Sequence, residues 1–262
     1  MDPGYRSPLV DFFRRGEVAR DVRLLAAQGA LAPRAHEQLA LLILLSDDAE
    51  PLIAATARGT LDALPAESLR AFLGRSDVPG EMRAFFAARG IDPGTAAADA
   101  SAPLIEDEGA AAHRADGDSA AGPSTDDDED PAVLSSLSIV ERMKLAMKGT
   151  RAQRAVLIRD SNKLVSAAVL SSPKLTETEV EAFAKMANVS EEVLRVIANN
   201  RAWTKNYTII SALTRNPKTP QAIAMQLVPR LNDRDMKGLS IDRNVPEAVR
   251  LIARKFVVKA LK

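Results

Sequence analysis

Apolar residues recur along most of the chain at the three- to four-residue spacing of helices that are buried on one side. No segment shows the strict alternation of a half-buried strand, so the pattern predicts an all-α protein. Its helices are short, with connections of two to five residues, as in stacked helical proteins. The predicted helices lie at roughly 17–28, 33–45, 51–63, 66–74, 79–89, 137–148, 151–158, 162–170, 177–187, 190–198, 203–214, 219–228, 233–240 and 246–260.

The connections between these helices share a turn chemistry, seen most clearly in "ALTRNPKTPQAIAMQLV" (212–228). Pro217 ends the preceding helix, because a residue before proline avoids the α region. Pro220 suits the first turn of the next helix, where a missing N–H is not needed. The segments "NVSEEVLRVIA" (188–198) and "NVPEAVRLIA" (244–253) are so similar that we interpret them as copies of one repeat unit.

The segment "LLILLSDDAEPLIAATARGTL" (41–61) resembles a HEAT repeat, in which a Leu-rich helix, an Asp- and Pro-containing turn and an Ala-rich helix follow one another. Ala54 stands where the HEAT family has an arginine, so the usual ladder between turn Asp and helix Arg is predicted to be absent. The residues that fit the HEAT pattern are Asp48, Glu50, Pro51, Ile53, Ala57 and Leu61.

A second resemblance lies in "RNPKTPQAIAMQL", which is similar to leucine-rich-repeat-variant and related bacterial helical repeats with an Asn-Pro-x-Thr-Pro turn. The two resemblances cover about half of the chain, at the level of single units. The whole chain resembles bacterial HEAT-like proteins. That resemblance implies an α-solenoid fold and no particular activity.

Charge divides the chain into two halves. Residues 1–130 contain 12 Arg, no Lys and 24 acidic residues, whereas residues 131–262 contain 23 basic and 11 acidic residues. The segment between Ile91 and Pro131 is rich in Ala, Asp, Gly and Ser and has too little apolar surface to fold. We therefore predict an N-terminal HEAT-like module (1–91), a disordered acidic linker (92–132) and a basic C-terminal helical-repeat module (133–262).

The apolar pattern gives no membrane or export signal. The longest apolar run, "LALLILL" (39–45), is about a third of a membrane span, and the first residues lack the pattern of a signal peptide. We therefore expect a soluble cytoplasmic protein.

Catalytic and metal-binding motifs are not found in the sequence. The chain has no cysteine, which excludes disulfides and thiolate chemistry, and it has two histidines. His113 lies in the acidic linker, and His36 is interpreted as a capping or surface residue at the start of a helix. Asp233, Asp235 and Asp242 are interpreted as helix caps and surface ion pairs rather than as an acid–base site. We expect no enzyme activity, no cofactor and no metal.

The best candidate for a binding surface is the segment "NNRAWTKNYTIISALTRN" (199–216), which contains the single Trp and one of the two Tyr residues. Trp, Tyr and Arg dominate the binding energy of protein interfaces. Core packing is the favoured alternative for Trp203, whereas Arg201 and Lys205 are expected to be exposed. The candidate partner-binding residues are Arg201, Trp203, Lys205, Tyr207, Arg215, Arg234 and Arg243.

These observations favour a non-enzymatic scaffold or adaptor that binds a protein partner through a helical-repeat surface. The alternative is a nucleic-acid-binding repeat protein that uses the basic C-terminal module, although aromatic residues for base stacking are few there. Whether the acidic linker contacts the basic module is left open by the sequence.

Overall fold

The computed structural model describes residues 2–32, 34–94, 104 and 131–260. Within these residues the chain forms sixteen α-helices and no strand, so the all-α prediction is confirmed. Most of the predicted linker lies outside the described residues. Of the described residues in that segment, Gly94 donates its N–H to the Arg70 carbonyl at 2.7 Å, and Leu104 donates to Gln38 Oε1 at 2.9 Å.

The helices belong to two compact units. Unit 1 comprises Met1–Gln153 and Ser171–Lys174, and unit 2 comprises Arg154–Leu170 and Leu175–Lys262. The helices of unit 1 are α1 (Pro8–Arg14), α2 (Arg20–Ala27), α3 (Ala35–Leu45), α4 (Pro51–Asp62), α5 (Ala66–Leu73), α6 (Gly80–Ala87), α7 (Pro131–Ser136) and α8 (Ile139–Lys148). Helix α8 contacts α2. The compact units therefore divide the chain at other residues than the predicted modules do.

The core of unit 1 is built around α3. Ten of its eleven residues are buried, and it packs against α1, α2 and α4. A helix that is apolar on all sides needs neighbours on all sides. The run "LALLILL" therefore lies in α3, which is the central helix of unit 1.

The turn between α3 and α4 forms ion pairs with α2. Asp48 Oδ2 accepts a hydrogen bond from Arg23 Nη1 at 2.7 Å, and Glu50 accepts one from Arg20 Nε at 2.7 Å. Ala54 is buried, 5% exposed. The acidic residues of this turn thus pair with arginines of α2, the helix before α3. In the HEAT pattern, by contrast, the arginine lies in the helix that follows the turn.

Unit 2 consists of two rows of helices. In one row α11 (Glu177–Lys185) packs on α13 (Tyr207–Arg215), which packs on α15 (Asp233–Ile241). The other row contains α10 (Lys163–Leu170), α12 (Glu191–Asn199), α14 (Gln221–Leu227) and α16 (Glu247–Ala260), with contacts between α10 and α12 and between α14 and α16. Helix α9 (Arg151–Leu157) crosses the division between the units, and 3₁₀ turns occupy Trp203–Lys205 and Val228–Arg230.

The Asn-Pro turn both ends one helix and starts the next, as predicted: α13 ends at Arg215 and α14 begins at Gln221. The structure adds a role for Asn216, which is 5% exposed. Its amide Nδ2 donates to the carbonyls of Ala184 and Met186, at 2.8 and 2.9 Å, and thereby joins the turn to the end of α11.

Candidate partner-binding surface

Three side chains link α13 to α15 on the surface of unit 2. The Tyr207 hydroxyl donates to Asp235 Oδ2, and Arg215 Nη2 pairs with Asp235 Oδ1 at 2.6 Å. The Tyr207 oxygen also accepts the N–H of Asn232 at 3.2 Å. Burial and the hydrogen bond to Asp235 raise the pKa of Tyr207.

A second set of polar side chains links α11 to α13. Glu181 accepts a hydrogen bond from Lys185 Nζ at 2.6 Å and another from Thr208 Oγ1 at 2.9 Å. These two donors, the lysine first, lower the pKa of Glu181. The row of α11, α13 and α15 is thus crossed by polar contacts that fix side chains of successive helices relative to one another.

A groove of about 420 Å³ runs over these contacts. Its lining combines charged groups, hydroxyls and small apolar side chains, which is a composition that suits the recognition of a polypeptide segment. The lining residues are Glu181, Lys185, Tyr207, Thr208, Ser211, Ala212, Arg215, Asn216, Pro217 and Asp235.

The connection between α12 and α13 carries three more predicted residues. Arg201 and Lys205 are exposed, as expected, and Trp203 is half-buried, so it is neither a core residue nor a fully exposed one. The side chain of Asn200 accepts the N–H of Ala202 at 2.9 Å and fixes the start of this turn.

The same turn is joined to the segment that follows α14. Arg230 donates to the Thr204 carbonyl, while the Tyr207 hydroxyl accepts from the backbone of Asn232. The predicted residues Arg201, Trp203 and Lys205 therefore lie on a turn that is tied to the segment leading into α15.

The two remaining predicted residues are exposed arginines. Arg234 is next to Asp235 in the first turn of α15, and Arg243 lies in the turn between α15 and α16. The structure therefore brings Tyr207 and Arg215 together on Asp235, but shows no contact that joins Arg243 to this cluster among the described residues. Sequence reasoning assigned Asp235 to caps and surface ion pairs and did not find its bridging role.

Unit 1 contains a buried polar cluster at the start of α3, where the interpretation of His36 as a capping or surface residue was wrong. His36 is 7% exposed and its ring packs against those of Tyr5 and Phe72, with centroids 5.4 and 4.7 Å away. Its neighbour Glu37 is 1% exposed. The burial of His36 could have been inferred from the apolar run that follows it. That run makes α3 the central helix of unit 1, and its first turn is buried with it.

Burial shifts the pKa values of both His36 and Glu37. Desolvation lowers the pKa of His36, against the smaller effect of Asp77, and desolvation raises the pKa of Glu37, against the nearby hydroxyls of Ser7 and Ser171. We assign the cluster to the packing of unit 1.

Two other kinds of feature, a metal site and a membrane span, are absent from the described residues. These residues contain no group of three or more His, Asp or Glu side chains that could hold a metal ion. None of their helices is both long and apolar enough to span a bilayer. No family model matches the chain, and no curated protein or solved structure is significantly similar to it.

Proposed function

We propose that this protein is a non-enzymatic, cytoplasmic scaffold or adaptor of HEAT-like bacterial type, and that unit 2 binds a protein partner. The observation that supports the proposal best is the cluster of Tyr207, Arg215 and Asp235 in the lining of the groove. Tyrosine and arginine contribute most to interface binding energy when they are held in place before the partner arrives. Asp235 holds both side chains in this way.

The neighbouring turn extends this surface. Trp203 is half-buried and is flanked by exposed cations, a combination of apolar ring and surrounding charge that is common in protein interfaces. The pattern of one aromatic anchor with charged neighbours favours a partner with a complementary apolar and acidic surface.

Nucleic acid is the second candidate partner. Residues 200–255 contain eleven Lys and Arg but four Asp and Glu, so the segment attracts polyanions. Single-stranded nucleic acids also need several aromatic side chains for stacking. The segment offers Trp203 and Tyr207, and Tyr207 uses its hydroxyl within the protein.

Affinity capture with the immobilised full chain tests the proposal. Bound proteins from a lysate of the source cells are identified by mass spectrometry, with and without nuclease treatment. We expect a partner that survives nuclease and is reduced by the double substitution Arg201→Glu and Lys205→Glu. The matched control, Arg159→Glu with Lys163→Glu, reverses two exposed charges at a different turn and should retain the partner.

The opposite results have distinct meanings. A partner that disappears after nuclease treatment, together with salt-sensitive binding of DNA or RNA by the purified chain, would establish the nucleic-acid alternative. Equal loss with both double substitutions would show dependence on overall charge, and retention of the partner by both would place the interface elsewhere on the chain.

A further inference from the structure

We infer that the outer face of α16 binds the surface of an anionic lipid bilayer, with the side chains of Leu251 and Val258 inserted among the lipid headgroups. This inference goes beyond the proposed function and does not depend on it. The helix would lie in the plane of the bilayer surface, so the contact does not require a helix that spans the bilayer.

Leu251 and Val258 form an apolar pair on the solvent-facing side of α16. Their exposed fractions are 47% and 57%, whereas Val249 and Ala253 on the same helix are fully buried. Successive residues of an α-helix are about 100° apart, so residues seven positions apart differ by about 20°. Val249 and Ala253 each lie about 160° from Leu251. The exposed pair is therefore opposite the side of α16 that packs against α14 and α15.

A comparison within the chain indicates that the helix does not need an apolar residue at this position. The two similar segments in α12 and α16 each begin a helix at their fourth residue, which makes Leu251 the counterpart of Arg195. Arg195 is exposed and pairs with an acid of its own helix at 2.8 Å. The preceding residue is the buried Leu194 in α12 but Arg250 in α16. The order Leu-Arg is thus inverted to Arg-Leu, which turns the apolar side chain toward solvent.

Cations flank the apolar pair on both sides. Arg254 and Lys255 are exposed, and they lie about 60° and about 40° from Leu251 in opposite directions around the helix. Neither is paired with an acid among the described residues. Residues 248–262 contain five Lys and Arg and no acid. An anionic lipid surface complements both features, because it accepts apolar side chains and the long basic side chains around them.

The same features argue against a second copy or another protein on this face. An antiparallel second copy that set Leu251 against Val258 would also set Arg254 against Lys255, and like charges repel. A stable protein complex buries about 800 Å² of each partner, of which two aliphatic side chains supply a small part. A bilayer contact needs less apolar area, since each cation near an anionic surface adds attraction.

Binding of the full chain to lipid vesicles tests this inference. The probes are vesicles of phosphatidylcholine alone and of phosphatidylcholine with about one third phosphatidylglycerol, an anionic lipid. Cosedimentation measures the bound fraction at low and moderate salt. We expect binding to the anionic vesicles that decreases with salt, and binding to the neutral vesicles that is at least about tenfold weaker.

Substitutions in α16 assign the binding to this face. Leu251→Ser combined with Val258→Ser should weaken binding to anionic vesicles at least about tenfold, because two apolar side chains are lost from the lipid boundary. Arg254→Gln and Lys255→Gln should each weaken it about fivefold, which corresponds to about 1 kcal/mol per charge.

Two matched controls should leave the binding nearly unchanged. Leu52→Ser removes a leucine of similar exposure, 55%, from α4. Arg195→Gln removes an exposed cation at the counterpart of Leu251 in α12.

A tryptophan probe distinguishes insertion from charge attraction. In a Trp203→Phe background, Leu251→Trp should shift the emission to shorter wavelength when anionic vesicles are added, because the indole leaves water. Leu52→Trp in the same background should give no shift.

Several outcomes would overturn the inference. Binding to neither kind of vesicle at low salt would do so, as would equal weakening by Leu52→Ser and by the double substitution in α16. Weakening by every removed cation without an emission shift would show general charge attraction. Loss of a captured protein with the double substitution, in the absence of vesicle binding, would assign this face to a protein. Thermal unfolding of each variant, followed by circular dichroism, verifies that the fold is intact.

Discussion

The effect of an ion pair on stability depends on whether its side chains are buried, as the pair of Arg154 and Glu179 shows. They pair inside unit 2, with Arg154 Nη2 at 2.8 Å from Glu179 Oε1, and their side chains are 5% and 3% exposed. Glu179 also completes the capping box of α11, since its Oε2 accepts the N–H of Thr176 at 3.0 Å. A buried charge that loses its partner is costly, whereas exposed pairs contribute little.

We therefore predict that Glu179→Ala lowers the free energy of unfolding by about 3–5 kcal/mol, because it leaves Arg154 buried without its acid. Urea denaturation measures this loss. The control is Glu141→Ala, which removes the same capping-box position from α8 at an exposed site and should cost far less. Comparable losses for the two substitutions would show that the cap, and not the ion pair, carries the effect.

A second residue-scale prediction concerns Glu37. Burial raises its pKa above the usual 4.5, so the folded chain holds this proton more tightly than the unfolded chain does. Its contribution to stability is complete below about pH 4.5 and is lost as pH rises through the folded pKa. Glu37→Gln, which mimics the protonated acid, should therefore gain melting temperature relative to wild type as pH increases from 4 to 8.

A control variant makes that measurement specific to Glu37. Glu67→Gln changes an exposed acid on α5 and should give the same difference from wild type at both pH values. His36 works in the opposite direction: its lowered pKa gives a contribution that is complete above about pH 6.5 and is lost as pH falls. Because His36 is present in both proteins, its effect cancels in the difference. A pH-independent difference for Glu37→Gln would refute the prediction.

At the scale of elements, the turn after α13 shows how one side chain holds two helices. Asn216 accepts the N–H of Lys218 at 2.9 Å and donates to two carbonyls at the end of α11. Asp242 has the equivalent position after α15, where it accepts the N–H of Asn244 at 3.0 Å. The local turn is the same in both places, but Asn216 adds the contact to another helix.

We predict that Asn216→Ala destabilises the protein by about 2 kcal/mol or more, because it leaves buried carbonyls without a donor. Asp242→Ala should cost less, since its partner amide remains near solvent. Chemical denaturation of both variants provides the comparison. Equal losses would show that the contact to α11 contributes nothing beyond the turn.

The turns also explain which elements the sequence could predict. Helices such as α11 and α15 have both an apolar stripe and a capping residue, and their observed bounds lie close to the predicted ones. Two helices were missed: α1, which depends on its packing against α3, and α7, which has six residues and gives too little apolar periodicity.

The sequence could predict which types of residue form the candidate surface, but not how these residues are arranged in space. Tyr207 and Arg215 were named because such residues are frequent in interfaces. Their meeting at Asp235 depends on how α13 and α15 pack. Spacing within one helix carries no information on the register between two helices.

At the scale of the whole molecule, the zero net charge combines an acidic half with a basic half. Residues 1–130 have twelve more acidic than basic residues, and residues 131–262 have twelve more basic than acidic residues. Net charge near zero favours association, because no overall repulsion keeps molecules apart. The acidic half of one molecule should therefore attract the basic half of another when salt is low.

We predict that the sedimentation coefficient rises with protein concentration at an ionic strength of about 0.01 M, where charges act over about 30 Å, but not at about 0.15 M, where they act over about 8 Å. Replacing five consecutive acids by serine should reduce the association at low salt, because it raises the net charge to about +5. The five residues are Asp126, Asp127, Asp128, Glu129 and Asp130. Association that persists at high salt would contradict this electrostatic origin. It would instead indicate apolar contacts, for which the exposed Leu251 and Val258 of α16 are the first residues to replace by serine.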